Sequence, residues 1–262
     1  MEYDAVLWGI GSLFILSLGL VMGSFCNAFA WRFVRQQSIL QGRSRCAACG
    51  HVLSAKELIP VVSWLMQKGC CRHCGAVISW RYPLVEVLTA GIFFSLAVCY
   101  TNWQQLLPLL CLSCLLVLIA LVDYESWLIP DIFITVGIVL YLLLQMLAGA
   151  ALQSLVLSSL LRGCSVAVPL LIFVLIGEKI WKKPVMGGGD IKLFFLLGLY
   201  LGPMMTALTL FCSCLVGLLW QGIQQQLHWA KPFPFAPSIA IAAWLVLLWG
   251  QPMMDWYLQQ FI

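Results

Sequence analysis

The chain predicts an all-α polytopic membrane protein carrying a small cytoplasmic zinc-binding domain, and three observations support this. Hydrophobic residues make up 63% of it and charged residues only 9%, against about 25% charged in a soluble domain. About eight apolar runs follow one another, most of them near the ~20 residues a helix needs to cross a bilayer. The positive charge is gathered, with eight of the fourteen lysines and arginines lying between Arg32 and Arg81. The positive-inside rule places that segment in the cytoplasm. Its basic patch has no nucleic-acid motif and adjoins membrane spans, so nucleic acid is not expected as a partner.

The spans are expected at roughly 5–31, 84–101, 105–122, 131–150, 155–177, 191–203, 205–223 and 237–255. The first is too long for a signal-peptide core and lacks a basic segment before it, so it reads as a retained helix. The sixth is short and must be tilted, broken or sunk beside a water-filled cavity. Gly202-Pro203 marks the turn after it. With residues 32–83 inside, the links 123–130, 178–190 and 224–236 also fall inside. Lys179, Lys182, Lys183 and Lys231 then lie on inside links, and Arg162 is the discordant charge, expected to snorkel outward. The domain reading is a first transmembrane helix, 1–31; a cysteine-rich zinc domain, 32–83; and a membrane segment of seven helices, 84–262, that carries the carboxylates considered below.

Seven of the twelve cysteines sit in apolar runs, where they behave as small hydrophobes. The other five lie in the loop, where thiols stay reduced. Cys46-Ala-Ala-Cys49 and Cys71-Arg-His-Cys74 are two C-x-x-C hooks separated by twenty-one residues. Four thiolates so spaced suit a tetrahedral structural zinc site. A redox pair and unliganded thiols are the alternatives, but no thioredoxin-like pattern surrounds the hooks. Cys70 breaks the two-residue spacing. His51 and His73 read as surface residues, because four cysteines already fill the shell. A segment of this size is near the limit below which a metal is needed to hold a fold.

The chemistry-bearing stretch is Gly187-Gly188-Gly189-Asp190, at the mouth of the sixth span. Glycines let backbone or substrate come close, and a carboxylate at a membrane span is costly. Asp123, where the third span meets its link, is the second carboxylate on the same side. The bland readings are a helix cap for Asp190 and a helix-end polar residue for Asp123. Together those readings weaken, because both face one side. Two carboxylates brought close share one proton. The ionised member can draw a proton from water while the protonated one polarises a peptide carbonyl. Asp131 reads as a helix N-terminal carboxylate, and Glu125 as an interfacial charge. Glu86, just inside the second span, reads as the partner of Arg81 or Arg32, with substrate contact as the alternative.

These residues resemble type IV prepilin peptidases, the membrane aspartic proteases with a Gly-x-Gly-Asp signature. The likeness rests on Gly23-Ser24-Phe25-Cys26-Asn27, on the hooks with Ser63-Trp64-Leu65 between them, and on Arg81-Tyr-Pro-Leu-Val-Glu86. It continues through Asp123…Ile129-Pro130-Asp131, Gly187-Gly-Gly-Asp190-Ile-Lys192 and Pro234-Phe235-Ala236-Pro237, and so spans nearly the whole chain. It implies Asp123 and Asp190 as the catalytic pair; beside them Gly187, Gly189 and Glu86 are read as substrate-contacting or positioning residues. It implies prepilin or pseudopilin substrates, cut on the cytoplasmic face of a bacterial inner membrane, with lipid around the helices. The family commonly also methylates the new N-terminus with S-adenosylmethionine, whose site no motif here locates. Arg32-Phe33-Val34 departs from the family's Arg-x-Pro, and Cys46-Ala47-Ala48-Cys49 from its Cys-Pro-x-Cys. A proton-coupled transporter using the same aspartates is the alternative reading.

Overall fold

A computed structural model describes residues 2–39, 42–226 and 234–260. Lys231 and most of the 224–236 link lie outside the described residues, as do residues 40 and 41 of the cysteine-rich segment. Among the described residues the α-helices are α1 (Glu2–Val34), α2 (Val62–Met66), α3 (Arg81–Cys99), α4 (Trp103–Ser126), α5 (Asp131–Leu147), α6 (Leu152–Trp181), α7 (Gly188–Leu201), α8 (Pro203–Gln226) and α9 (Ala236–Gln259). The eight apolar helices follow the eight expected runs, and the protein is an all-α polytopic membrane protein. Six of them are long and apolar enough to cross a bilayer, while α5 is a shorter apolar helix. The fourth run was expected to reach residue 150, but α5 stops at Leu147, where the chain turns through Gly149 at φ +94°. The sixth is shorter still: α7 has 14 residues, about 21 Å at 1.5 Å per residue.

The chain divides into two compact units, Met1–Thr101 and Asn102–Ile262. Residues 84–101, grouped by composition with the peptidase segment, therefore pack with α1.

In the first unit α1 and α3 lie against each other along small residues. A Cβ on Gly23 would stand 2.7 Å from the Glu86 Cα, so only glycine lets the two backbones come this near. Between membrane helices such close approach supplies the packing that lipid cannot.

In the second unit α7 is the core. Leu193, Phe194, Leu196 and Leu197 are fully buried, and α5, α6 and α8 pack on it. It crosses α6 where a Cβ on Gly198 would stand 2.7 Å from the Arg162 carbonyl oxygen. The remaining helices pair as α8 with α9 and α4 with α9. Two helix ends then set the site. Trp127, in the left-handed region at φ 61°, donates its N–H to the Asp123 carbonyl and stops α4. Pro130 has no N–H to continue a helix and starts α5 at Asp131.

Candidate active site

Asp123 is in the last turn of α4 and is buried, 6% exposed. Asp190 is in the first turn of α7 and half-buried. Both belong to the second unit, and the two carboxylates are close enough to repel each other electrostatically. Residues 67 positions apart in the chain are thus brought to one end of the helix bundle.

Each carboxylate is held by backbone. The Ala236 N–H, at the start of α9, donates to Asp123 Oδ2 across 3.1 Å in a buried setting. An N–H can only donate, so that oxygen is fixed as an acceptor. The sequence did not point to this contact, because a backbone donor leaves no mark in the residue types; the one sign was Pro234-Phe235-Ala236-Pro237, which adjoins it. The Gly187 N–H donates to the Asp190 carboxylate, and the Asp190 N–H in turn donates to the Gly187 carbonyl at 3.1 Å.

The glycines differ in what they do. A Cβ on Gly187 would stand 3.0 Å from Asp190 Oδ2, and one on Gly189 2.9 Å from the Ile129 Cβ, whereas one on Gly188 would meet nothing within 4 Å. Gly187 therefore leaves room for the carboxylate. Gly189 lets α7 lie against the link that leads out of α4. The middle position is open, as the x of Gly-x-Gly-Asp requires. Beside this cluster Lys192 Nζ lies 2.6 Å from Asp131 Oδ1, both side chains more than half exposed. Asp131 begins α5 as expected of a helix N-terminal carboxylate; its lysine partner was not anticipated.

Glu86 belongs to the first unit and is buried, 6% exposed. It accepts a 2.7 Å hydrogen bond from the Val61 N–H and another from the Ser24 hydroxyl. Its bonds come from these neutral groups rather than the arginine the sequence favoured. Val61 is at φ 60°, ψ −51°, which a β-branched residue adopts only under constraint. Glu86 thus positions the loop backbone.

The sulfur atoms of Cys46, Cys49, Cys71 and Cys74 lie within 4.8 Å of one another. Zinc–sulfur bonds of 2.3 Å at tetrahedral angles put sulfurs about 3.8 Å apart, and Cys46 and Cys74 are 3.9 Å apart. The four thiols could hold a metal ion. The hooks are built alike. Each first cysteine receives the N–H of the glycine after the second, Gly50 or Gly75, at 2.9 Å. These glycines sit at φ +72° and +71°, a conformation that glycine alone adopts freely. Flanking bridges pair Arg45 with Val52 and Cys70 with Val77, so Cys70 is a strand-like neighbour of the site. His51 and His73 stack on each other with ring centres 3.5 Å apart. Trp64 donates its indole N–H to the Ile78 carbonyl at 3.1 Å and fastens the second hook. Backbone N–H groups of Cys49 and Ala48 hold the Cys46 thiol down to about 6, toward the thiolate that ligates metal.

Comparison with known proteins gives the family. The profile of the bacterial peptidase A24 N-terminal domain matches residues 17–100, and that of the type IV leader peptidase family matches residues 109–222. A prepilin leader peptidase/N-methyltransferase of Bacillus subtilis is 36% identical over 92% of this chain and 95% of its own length. The chain belongs to the type IV leader peptidase family. A family member of Aeromonas salmonicida bearing the same name is 37% identical over 84% of this chain and 76% of its own. One of Pseudomonas aeruginosa is 31% identical over 92% and 91%. No solved structure matches the chain. None of these family relatives supports a transporter. The two profiles fall one in each compact unit, with Asp123 and Asp190 inside the leader peptidase match.

Proposed function

We propose that this protein is a membrane-embedded aspartic endopeptidase that removes the leader of type IV prepilins and pseudopilins and then methylates the new N-terminal amine. The observation that carries the reading is that Asp123, at the end of α4, and Asp190, at the start of α7, are near enough to repel each other, with the Ala236 N–H on Asp123. The pair holds one proton between them. The ionised carboxylate takes a proton from water as it attacks the scissile carbonyl carbon, and the protonated one donates to the carbonyl oxygen. Collapse of the tetrahedral adduct breaks the C–N bond, and a proton passes to the leaving amine. Ala236 keeps one Asp123 oxygen out of this exchange and holds the carboxylate still. Gly187 and Gly189 set the reach of α7 toward α4.

The relatives' name carries the second activity. S-adenosylmethionine supplies an electrophilic methyl group. The substrate's task is then to present an unprotonated amine, which loses one proton as it gains the methyl. Zinc in the four-cysteine site is structural, since four thiolates leave no open position. The positive-inside pattern supports placing the cysteine hooks and the aspartates on the cytoplasmic side of a bacterial inner membrane.

The test is purified protein in detergent mixed with a prepilin, read by mass spectrometry for loss of the leader and gain of a methyl group. Wild-type protein is expected to give both. Normal cleavage by the Asp123→Asn and Asp190→Asn variants would remove the aspartic-peptidase reading.

A further inference from the structure

The loop between α1 and α3 reaches down beside the helices that carry it. α1 and α3 are both long and apolar enough to cross the bilayer, whatever reaction the second unit performs. Val61 donates its N–H to Glu86 of α3 across 2.7 Å. α3 has 19 residues, about 28 Å, and so has no length to lift Glu86 out of a hydrocarbon slab of about 30 Å. Trp80 and Tyr82 are exposed at the head of α3, where a membrane–water interface places such rings. Glu86 is four residues past Tyr82, about 6 Å deeper. On the other side, Leu58 and Pro60 share a groove with Phe25, Ala28 and Phe29 of α1. Phe25 is seven residues before Arg32 in the last turn of that helix, about 10 Å. Both depths put residues 58–61 beneath the headgroups. We infer that residues 58–66 form a wedge sunk into the leaflet next to Arg32 and Arg81, with Ile59, Val62, Leu65 and Met66 against lipid acyl chains.

The chemistry of the stretch fits that depth. Residues 58 to 66 carry no charge, and Ile59, Val62, Leu65 and Met66 are 47–69% exposed. Val62, Leu65 and Met66 stand at i, i+3 and i+4 on α2 and so form one apolar face. Water penalises such a face, and acyl chains do not. Lys56 and Lys68 bracket the stretch and are both exposed, at the points where a wedge entering and leaving a leaflet passes the lipid phosphates. Irregular backbone at this depth must pair its polar groups inside the protein, because lipid offers no hydrogen bonds. The chain turns at Val61, at φ 60° and ψ −51°, and the N–H of that residue is the one Glu86 accepts. The next amides are closed as well. Val62 donates to the Pro60 carbonyl at 2.6 Å, Ser63 to that of Ile59 at 3.0 Å and Leu65 to that of Val61 at 3.0 Å. A buried carboxylate pairing the amide of a turn, with an apolar face just beyond it, is the construction a re-entrant segment requires.

The experiment places the full chain in liposomes of phosphatidylethanolamine and phosphatidylglycerol that contain a phosphatidylcholine with a diazirine on its acyl chain. Light couples this probe to what it touches. Trypsin then releases Glu57–Lys68, which carries the wedge, and Cys46–Lys56, which carries the first cysteine hook and no exposed large apolar residue. Mass spectrometry reads the coupled fraction of each peptide. Glu57–Lys68 is expected to be labelled about tenfold or more above Cys46–Lys56. A Leu65→Glu/Met66→Glu variant should lose most of that excess while unfolding at the wild-type temperature, because carboxylates are costly among acyl chains. Labelling of Glu57–Lys68 no higher than that of Cys46–Lys56 would overturn the inference; the face then meets water or, where a lysine-reactive cross-linker joins two chains through this peptide, a second copy. Undiminished labelling in a double variant that unfolds as wild type does would overturn it too. If the double variant unfolds early, the wild-type labelling ratio alone decides.

Discussion

Replacing Gly189 by alanine tests the geometry of the carboxylate pair directly. The new Cβ would stand 2.9 Å from the Ile129 Cβ, where carbon atoms rest about 3.5–4.0 Å apart. Either α7 or the link after α4 must retreat by about 0.6–1.1 Å to relieve this. α7 carries Asp190 and the link follows directly on the turn of α4 that carries Asp123, so the retreat shifts one aspartate against the other. A displacement of about 1 Å in a catalytic constellation costs about a hundredfold in rate. The overpacking itself costs about 1–3 kcal/mol of stability. Gly188→Ala, whose Cβ meets nothing within 4 Å, is the internal control and should cleave within about twofold of wild type. Adding Ile129→Gly to Gly189→Ala removes the clashing atom and should restore much of the rate. The assay is initial-rate prepilin cleavage in detergent with thermal unfolding recorded alongside. Gly189→Ala cleaving at the wild-type rate, or Gly188→Ala losing as much as Gly189→Ala, would refute the reasoning.

Asp123→Asn and Asp190→Asn should each abolish leader removal while the protein still accumulates, read by immunoblot of substrate and enzyme together. Cys49→Ser, or prolonged chelation, should lower bound zinc from one ion per chain and lower the melting temperature of the first unit, since metal binding is folding energy in a small domain; metal analysis and calorimetry check it. Lys192→Met should change stability by no more than about 1 kcal/mol, because both partners of the Lys192–Asp131 pair are more than half exposed; a thermal shift beyond a few degrees would contradict that.

The helices were legible because apolar runs, turn residues and loop charge all speak to the same spans. The cysteine hooks were legible because ligand spacing survives in the linear order. Asp123 and Asp190 stood out in the sequence because a bilayer makes carboxylates conspicuous. What stayed hidden are contacts made by backbone. Ala236 grips Asp123 with an N–H that every residue but proline carries, and Val61 offers Glu86 the same group. Neither could be told from residue types, so Glu86 was expected to meet an arginine. The partition of the chain was hidden for a related reason. Composition groups 84–101 with the later helices, but Gly23 and its neighbours on α1 provide the surface on which α3 rests.

The shortness of α7 has a consequence for how the scissile bond arrives. A helix of about 21 Å cannot fill a hydrocarbon slab of about 30 Å, so some 9 Å of depth is left beyond its first turn or its last. Hydrolysis consumes a water molecule, and the acidic first turn is the end that needs one. Peptide hydrolysis by the carboxylates requires the missing depth to fall at Asp190, as a wet dimple let into the membrane. A pilin segment travelling as an intact helix would present no exposed amide there, because each of its carbonyls is already bonded within the helix. The segment to be cut must unravel at its mouth, and the dimple gives it somewhere to do so.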